Sequence, residues 1–136
     1  MEMRRLKIGE KQTLTKKFDH NLVAEFAKIS GDINPIHINE AYASKTRFGR
    51  CIVHGGLVSS MFSNIIANEL PGPGSIFISQ SLQFLLPVFV GDTVTSSVQI
   101  IKIREDKPII TLSTLCENSD FNVALKGEAV VLYTKI

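Results

Sequence analysis

The segment from Leu57 to Asn68 constrains the fold most. Apolar residues stand at Leu57, Met61 and Ile65 and, beside them, at Val58, Phe62 and Ile66. Rows of i, i+4 spacing share one side of an α-helix, and two adjacent rows make an apolar face too wide for a helix resting on a surface. The spacing predicts a helix that starts after His54-Gly55-Gly56, is heavily covered by the rest of the protein, and ends at Leu70-Pro71-Gly72-Pro73-Gly74.

The C-terminal half can supply the cover. After Gly74 the apolar period changes to two, with Ile76, Ile78, Leu82, Phe84 and Leu86 alternating with Ser79, Ser81 and Gln83. Further strands are predicted over Thr93–Ile103, after the turn at Gly91-Asp92, over Pro108–Cys116, after a hairpin turn at Arg104–Pro108, and over Asn122–Tyr133. All of them are rich in β-branched residues. Upstream, Lys11–Phe18 alternates as an edge strand would. Asp19 can cap a helix carrying Leu22, Val23, Phe26, Ala27 and Ile29, and Ser30-Gly31 should end it. Pro35 biases Asn34 away from helical angles, so Asp32 to Asn34 reads as an extended turn, followed by a short helix around Asn39–Lys45. Helices first and antiparallel strands afterwards is α+β order. The simplest arrangement is one domain over residues 1–136, an antiparallel sheet wrapped around a long central helix, which is the hot-dog architecture. Edge-to-edge pairing in a homodimer would cover one open edge of the sheet.

Composition permits this and narrows the function. With 136 residues, 44% hydrophobic and 21% charged, the chain can fill a single core. A net charge of +2, carried by scattered basic residues, gives no nucleic-acid footprint. No stretch reaches the roughly 18 apolar residues of a membrane span, so no membrane insertion is expected. No apolar run follows Arg4-Arg5, as a secretory signal would require. Cys51 and Cys116 lack CxxC spacing and read as free thiols of a reducing compartment. The expectation is a cytoplasmic domain.

Chemistry concentrates in Ser30–Ala43, "SGDINPIHINEAYA". A carboxylate at Asp32 and an imidazole at His37, in a turn held by Gly31 and Pro35, can converge on one small site, with the Asn34 amide able to orient a water or a side chain. Each well-placed acid or base is worth about 10²–10⁴-fold in rate. The same residues are also ordinary turn formers, and composition and spacing leave both readings open. A second feature bears on the choice. Gly55 and Gly56 stand at the start of the central helix, where the first N–H groups have no internal partner and the helix dipole is positive. Glycine lets a ligand carbonyl approach closely, as an oxyanion hole requires, although it equally permits tight helix–sheet packing. His20 reads as solvated; His54, just before the glycines, could shape the site but reads first as a residue that positions the chain. Asp32, His37 and His54 lack a metal-ligand spacing, so no metal is expected.

"FAKISGDINPIHINEAYA" resembles the hydratase-2 signature of the (R)-specific 2-enoyl-CoA hydratases, the MaoC-like branch of the hot-dog superfamily. Phe26, Ser30-Gly31-Asp32, Asn34-Pro35, His37 and Ala43 match it, and the resemblance continues through "TRFGRCIVHGGL", "LPGPGSIFISQSLQFLLPVFVGDTV" and "GEAVVLY". Gly56 is a local difference, since many relatives carry Met or another apolar residue there. The resemblance implies reversible syn addition of water to a trans-2-enoyl thioester, giving the (R)-3-hydroxyacyl thioester. Asp32 and His37 would form the catalytic dyad around one water, with His37 as main base and Asp32 as its partner in proton transfer. Asn34 would hold the arrangement, and the N–H of Gly55 or Gly56 would bind the thioester oxygen. The resemblance also points to Ser63, Ile66 and Val131 as acyl-pocket positions. Ile66 and Val131 are core residues first, whereas a hydroxyl at Ser63 inside a heavily apolar helix needs a partner. No cofactor is implied beyond the CoA thioester substrate itself.

Two other readings stand beside this one. The first is a dehydratase acting on (R)-3-hydroxyacyl groups carried by acyl carrier protein, for which Arg47, Arg50, Arg104 and Lys107 could form a basic surface. The same residues could bind the phosphates of CoA. The second is a non-catalytic acyl-thioester binding or assembly subunit. Thioesterases and another dehydratase class of the same fold resemble proteins with an acid on the central helix, and Leu57–Asn68 contains none.

Overall fold

The computed structural model describes residues 5–134. The elements run β1 (Lys11–Lys17), α1 (His20–Ser30), α2 (Pro35–Ile38), α3 (Glu40–Ser44), α4 (Gly55–Asn68), β2 (Ser75–Phe84), β3 (Thr93–Ile103), β4 (Ile109–Glu117) and β5 (Val123–Tyr133). The strands form one antiparallel sheet in the order β1-β3-β4-β5-β2. Helix α4 packs against β1, β2 and β3, so the sheet curls round it in the expected hot-dog arrangement.

Both predicted rows of α4 are buried: Leu57, Val58, Met61, Phe62, Ile65 and Ile66. They meet Val98 and Ile100 of β3, Leu112 of β4 and Ala129 and Val131 of β5 in one cluster. Burying an aliphatic side chain of this size contributes about 1.5–3 kcal/mol, which makes α4 the organiser of the fold. Among these apolar groups the Ser96 hydroxyl is also buried, and it donates to Met61 Sδ at 3.3 Å.

The first helix has the predicted ends. Asp19 Oδ1 accepts from Leu22 N at 2.9 Å, and Gly31 closes α1 at φ 79° with its N–H on the Ala27 carbonyl. The predicted turn at Asp32–Asn34 is present, but a short helix that the sequence did not announce follows it, α2. Pro35 at its first turn loses no hydrogen bond there, and Asn34 caps it.

Strand β2 forms as expected, yet its apolar alternation does not lead into the core of the single chain. Ile76, Ile78 and Phe84 remain exposed, and a bulge lies between Phe77 and Ser79. The reason is topological. Among the described residues β2 is the last strand of the sheet, paired only with β5, and its other edge is open.

Candidate active site

The site is built where α2 is clamped onto the segment before α4. Ile52 N donates to the Ile36 carbonyl at 3.1 Å, and His37 Nδ1 lies 2.7 Å from the Ile52 carbonyl oxygen. Residues 51–53 are in turn bound to 88–90, through Val53 N to Val88 O at 2.7 Å and Val90 N to Cys51 O at 3.1 Å. His37 is thus held against a strand-like backbone and is only 8% exposed.

A carbonyl oxygen can only accept, so His37 carries a proton on Nδ1, and in the neutral imidazole Nε2 is the unprotonated nitrogen. That Nε2 is 3.9 Å from Asp32 Oδ2, whose side chain is 49% exposed. The separation is long for a direct hydrogen bond and suits one water bound by both groups. Asp32 is fixed from its backbone outward. Its N–H donates to Ser30 Oγ at 3.1 Å, and the Ser30 hydroxyl donates to the Phe26 carbonyl at 2.7 Å. Asn34 N donates to Asp32 Oδ1 at 3.2 Å, while the Asn34 side chain caps α2 through Ile36 N at 3.3 Å. Asp32, Asn34 and His37 therefore do come together.

The glycines complete one wall. Leu57 N and Val58 N both bond the His54 carbonyl as the first intrahelical donors of α4, so Gly55 N and Gly56 N precede them. No side chain caps this helix start. A cavity of about 350 Å³ opens beside it, lined by His37, Arg47, Gly55, Val58, Phe84 and Leu86 among others. Gly55 lines this cavity and Gly56 does not. A methyl group at Gly55 would come within 2.5 Å of the Phe84 ring.

The remaining expected positions lie elsewhere. Ile66 and Val131 are fully buried core residues, and Ser63 is on the exposed side of α4, so its hydroxyl needs no buried partner. None of the three lines the cavity. Arg47 does, whereas Arg104 is engaged with Asp106 in the β3–β4 turn. Arg50 lies 4.0 Å over the Phe89 ring. The Phe84–Leu86 wall was missed from the sequence, where those residues read only as the end of a strand.

For His54 the sequence favours positioning the chain over shaping the site, and the structure brings its ring into the site. Its ring stacks on His37 with centroids 3.9 Å apart at 28°. Ligand atoms of Asp32, His37 and His54 lie within 4.8 Å of one another. One nitrogen of each ring is already committed to a backbone carbonyl, His37 to Ile52 and His54 to Asp32. Neither cysteine offers a nucleophile. Burial, reinforced by Glu40, pushes the Cys51 thiol up to about 11, and burial also raises Cys116.

The family described as "MaoC like domain" matches residues 5–117. An (R)-specific enoyl-CoA hydratase of Aeromonas caviae is 49% identical over 131 residues, covering 96% of this chain and 98% of that protein. A solved structure of an (R)-hydratase from A. caviae involved in PHA biosynthesis superposes with a TM-score of 0.93 at 49% identity, covering 95% of this chain and 98% of that one. A mitochondrial 3-hydroxyacyl-[acyl-carrier-protein] dehydratase of Arabidopsis thaliana is 39% identical over 130 residues, covering 93% of this chain and 77% of that protein.

Proposed function

Since the chain belongs to the MaoC-like family of hot-dog hydratases and dehydratases, we propose that it is an (R)-specific 2-enoyl-CoA hydratase. It adds water reversibly to a trans-2-enoyl-CoA to give the (R)-3-hydroxyacyl-CoA. The observation that carries this reading is the free Nε2 of His37, 3.9 Å from Asp32 Oδ2, beside a cavity that Gly55 also lines.

The chemistry follows from those groups. Water held between Asp32 and His37 gives a proton to His37 Nε2 as its oxygen bonds the β-carbon. The electron pair of the double bond moves onto the thioester, whose oxygen becomes an enolate at the Gly55 N–H. A proton then passes from the dyad to the α-carbon, on the face where the oxygen was added, and the enolate collapses. No electron is gained or lost overall, so the addition calls for no redox step. One oxyanion-hole donor of this kind is worth about 3 kcal/mol. Asn34 supports the arrangement by holding Asp32 through its N–H and α2 through its side chain.

For the acyl tail we keep Ile66 and Val131 as positions that bound longer chains, and Ser63, exposed in the single chain, only where a second subunit covers that side of α4. The support is that Ile66 and Val131 belong to the same core cluster as Val58 and Leu125, which line the cavity. The active form is a homodimer in this proposal, supported by the open β2 edge and its exposed apolar residues. Cytoplasmic residence is supported by two buried, free cysteines. Among the described residues no helix is long and apolar enough to cross a membrane.

Hydration of crotonyl-CoA, followed by loss of the conjugated thioester's ultraviolet absorbance and by a stereospecific dehydrogenase, tests the activity. Formation of the (R)-alcohol is expected. Product of the (S) hand, or no turnover across acyl chain lengths on either carrier, would overturn it. A carrier-protein substrate is the second reading, supported by the A. thaliana relative and by Arg47 at the cavity. Side-by-side rates on the two carriers decide between them. A binding-only subunit has no use for the assembled dyad.

A further inference from the structure

His54 is the most buried polar group near the dyad, 2% exposed, and the hydration chemistry does not use it. Its Nε2 lies 2.9 Å from the backbone carbonyl oxygen of Asp32. That oxygen accepts, so a proton sits on Nε2, and in the neutral ring Nδ1 is left as a bare lone pair. Nδ1 has no hydrogen-bond partner in its buried position. Leaving a buried polar atom unsatisfied costs about 1–3 kcal/mol, and an apolar side chain of similar shape would avoid that cost. Packing alone does not explain a histidine here.

The ring's neighbours suggest what the imidazole does. One face stacks on His37, with centroids 3.9 Å apart at 28°, and the Phe26 ring lies against it at 4.9 Å and 59°. His54 therefore touches both members of the dyad, His37 by its face and Asp32 by its N–H. Asp32 and His37 sit on different pieces of backbone, the turn after α1 and helix α2. Their carboxylate and imidazole are too far apart to hold each other directly. His54 is anchored at the start of α4, within the core, and spans the two.

We propose that His54 is a positioning residue which sets the separation of Asp32 and His37. Its Nε2–H ties down the main chain at Asp32 while its ring plane backs the His37 imidazole. The inference rests on the hydration reading for its kinetic consequence and on the two contacts alone for its structural content. Misplacing a reacting group by an ångström can lower a rate by about 10²-fold.

Two substitutions separate the two contacts. His54→Phe keeps a flat ring against His37 and removes the donor. His54→Gln keeps an N–H at similar reach and removes the ring. With crotonyl-CoA, His54→Phe should lose roughly 10- to 100-fold in kcat with KM changed by less than about threefold. His54→Gln should recover part of that loss, and thermal unfolding should show both variants folded. A folded His54→Phe enzyme with wild-type kcat, or a loss confined to KM, would overturn the proposal. Nitrogen-15 spectra of the histidine rings in the wild-type protein provide a test independent of activity. Protons on Nε2 of His54 and Nδ1 of His37 are expected, and a proton on Nδ1 of His54 would overturn it even if the variants failed to fold. Absence of wild-type turnover would count against the hydration reading alone and leave the spectra to decide the positioning role.

Discussion

The carbonyl oxygen of Ile52 lies 2.7 Å from Nδ1 of His37 and so determines which nitrogen of that ring can act as a base. A main-chain acceptor cannot supply a proton, and this one cannot rotate away without breaking the Val53 N–Val88 O bond made by the same peptide unit. The tautomer that the proposed water activation calls for is thus favoured by backbone geometry, before any substrate is present.

Removing either member of the dyad should therefore abolish catalysis with little effect on the fold. His37→Ala and Asp32→Asn are each expected to lower kcat for crotonyl-CoA hydration by about 10²–10⁴-fold. Thermal unfolding should shift far less than for a core substitution. Rates near wild type in either variant would remove that residue from the mechanism.

At the start of α4, a methyl group added by Gly55→Ala would sit 2.5 Å from the Phe84 ring. Phe84 is exposed and can move, but it would move within the wall of the cavity. The variant should fold and lose kcat/KM. Adding Phe84→Leu to it should return part of the loss. Failure of the double variant to recover would place the defect at the Gly55 N–H instead of the wall.

The open edge of β2 predicts the oligomeric state. Sedimentation of the wild-type protein should give about twice the 15.0 kDa chain mass. Ile76→Lys combined with Ile78→Lys puts charge on residues already exposed in the single chain, and should give folded monomers. An unchanged dimer would assign the interface to another surface.

Gly127 faces the Ser81 and Leu82 backbone across the β5–β2 pairing, and a β-carbon there would run into the Ser81 carbonyl oxygen. Backbone cannot step aside as a phenyl ring can. Gly127→Ala should destabilise by at least roughly 1–3 kcal/mol, read as a lower midpoint in urea. An unaltered midpoint would mean that β2 shifts its register freely.

Cys51 gives the pH dependence a definite sign. Burial and the neighbouring Glu40 raise its thiol from 9.0 to about 11 in the folded chain. Between those values the unfolded chain has lost the proton and the folded chain retains it. Stability should thus fall as pH rises from about 9 towards 11. Cys51→Ala should flatten that part of the curve, and an identical decline in the variant would attribute it to other groups.

The fold was legible because its strongest signals are periodic. The twin rows of α4 and the alternation of β3, β4 and β5 each depend on burial against a neighbour, and burial repeats along the chain. Helix α2 was missed because four residues are too few to show a period, and Pro35 reads equally as a breaker and as a first-turn residue. In the site, Asp32, Asn34 and His37 were legible because they are close in sequence. His54 meets His37 only because residues 51–53 are laid against α2 and 88–90. The exposure of β2 escaped because alternation reports that a strand has an apolar face, without saying which molecule covers it.

The strand order also sets a timetable for synthesis. Among the described residues β1 pairs only with β3, and Lys11 finds its partner at Gln99. Chains emerge at about 5–20 residues per second, so the first strand waits several seconds after leaving the ribosome before its neighbour exists. In the later part of that interval α4 has been made and has none of β3, β4 or β5 to cover it. Contacts this distant in sequence also slow the final closure. The wide apolar face that organises the finished protein is thus its most aggregation-prone surface while the chain is being made, and the demand for chaperone protection should peak after α4 emerges and before β3 does.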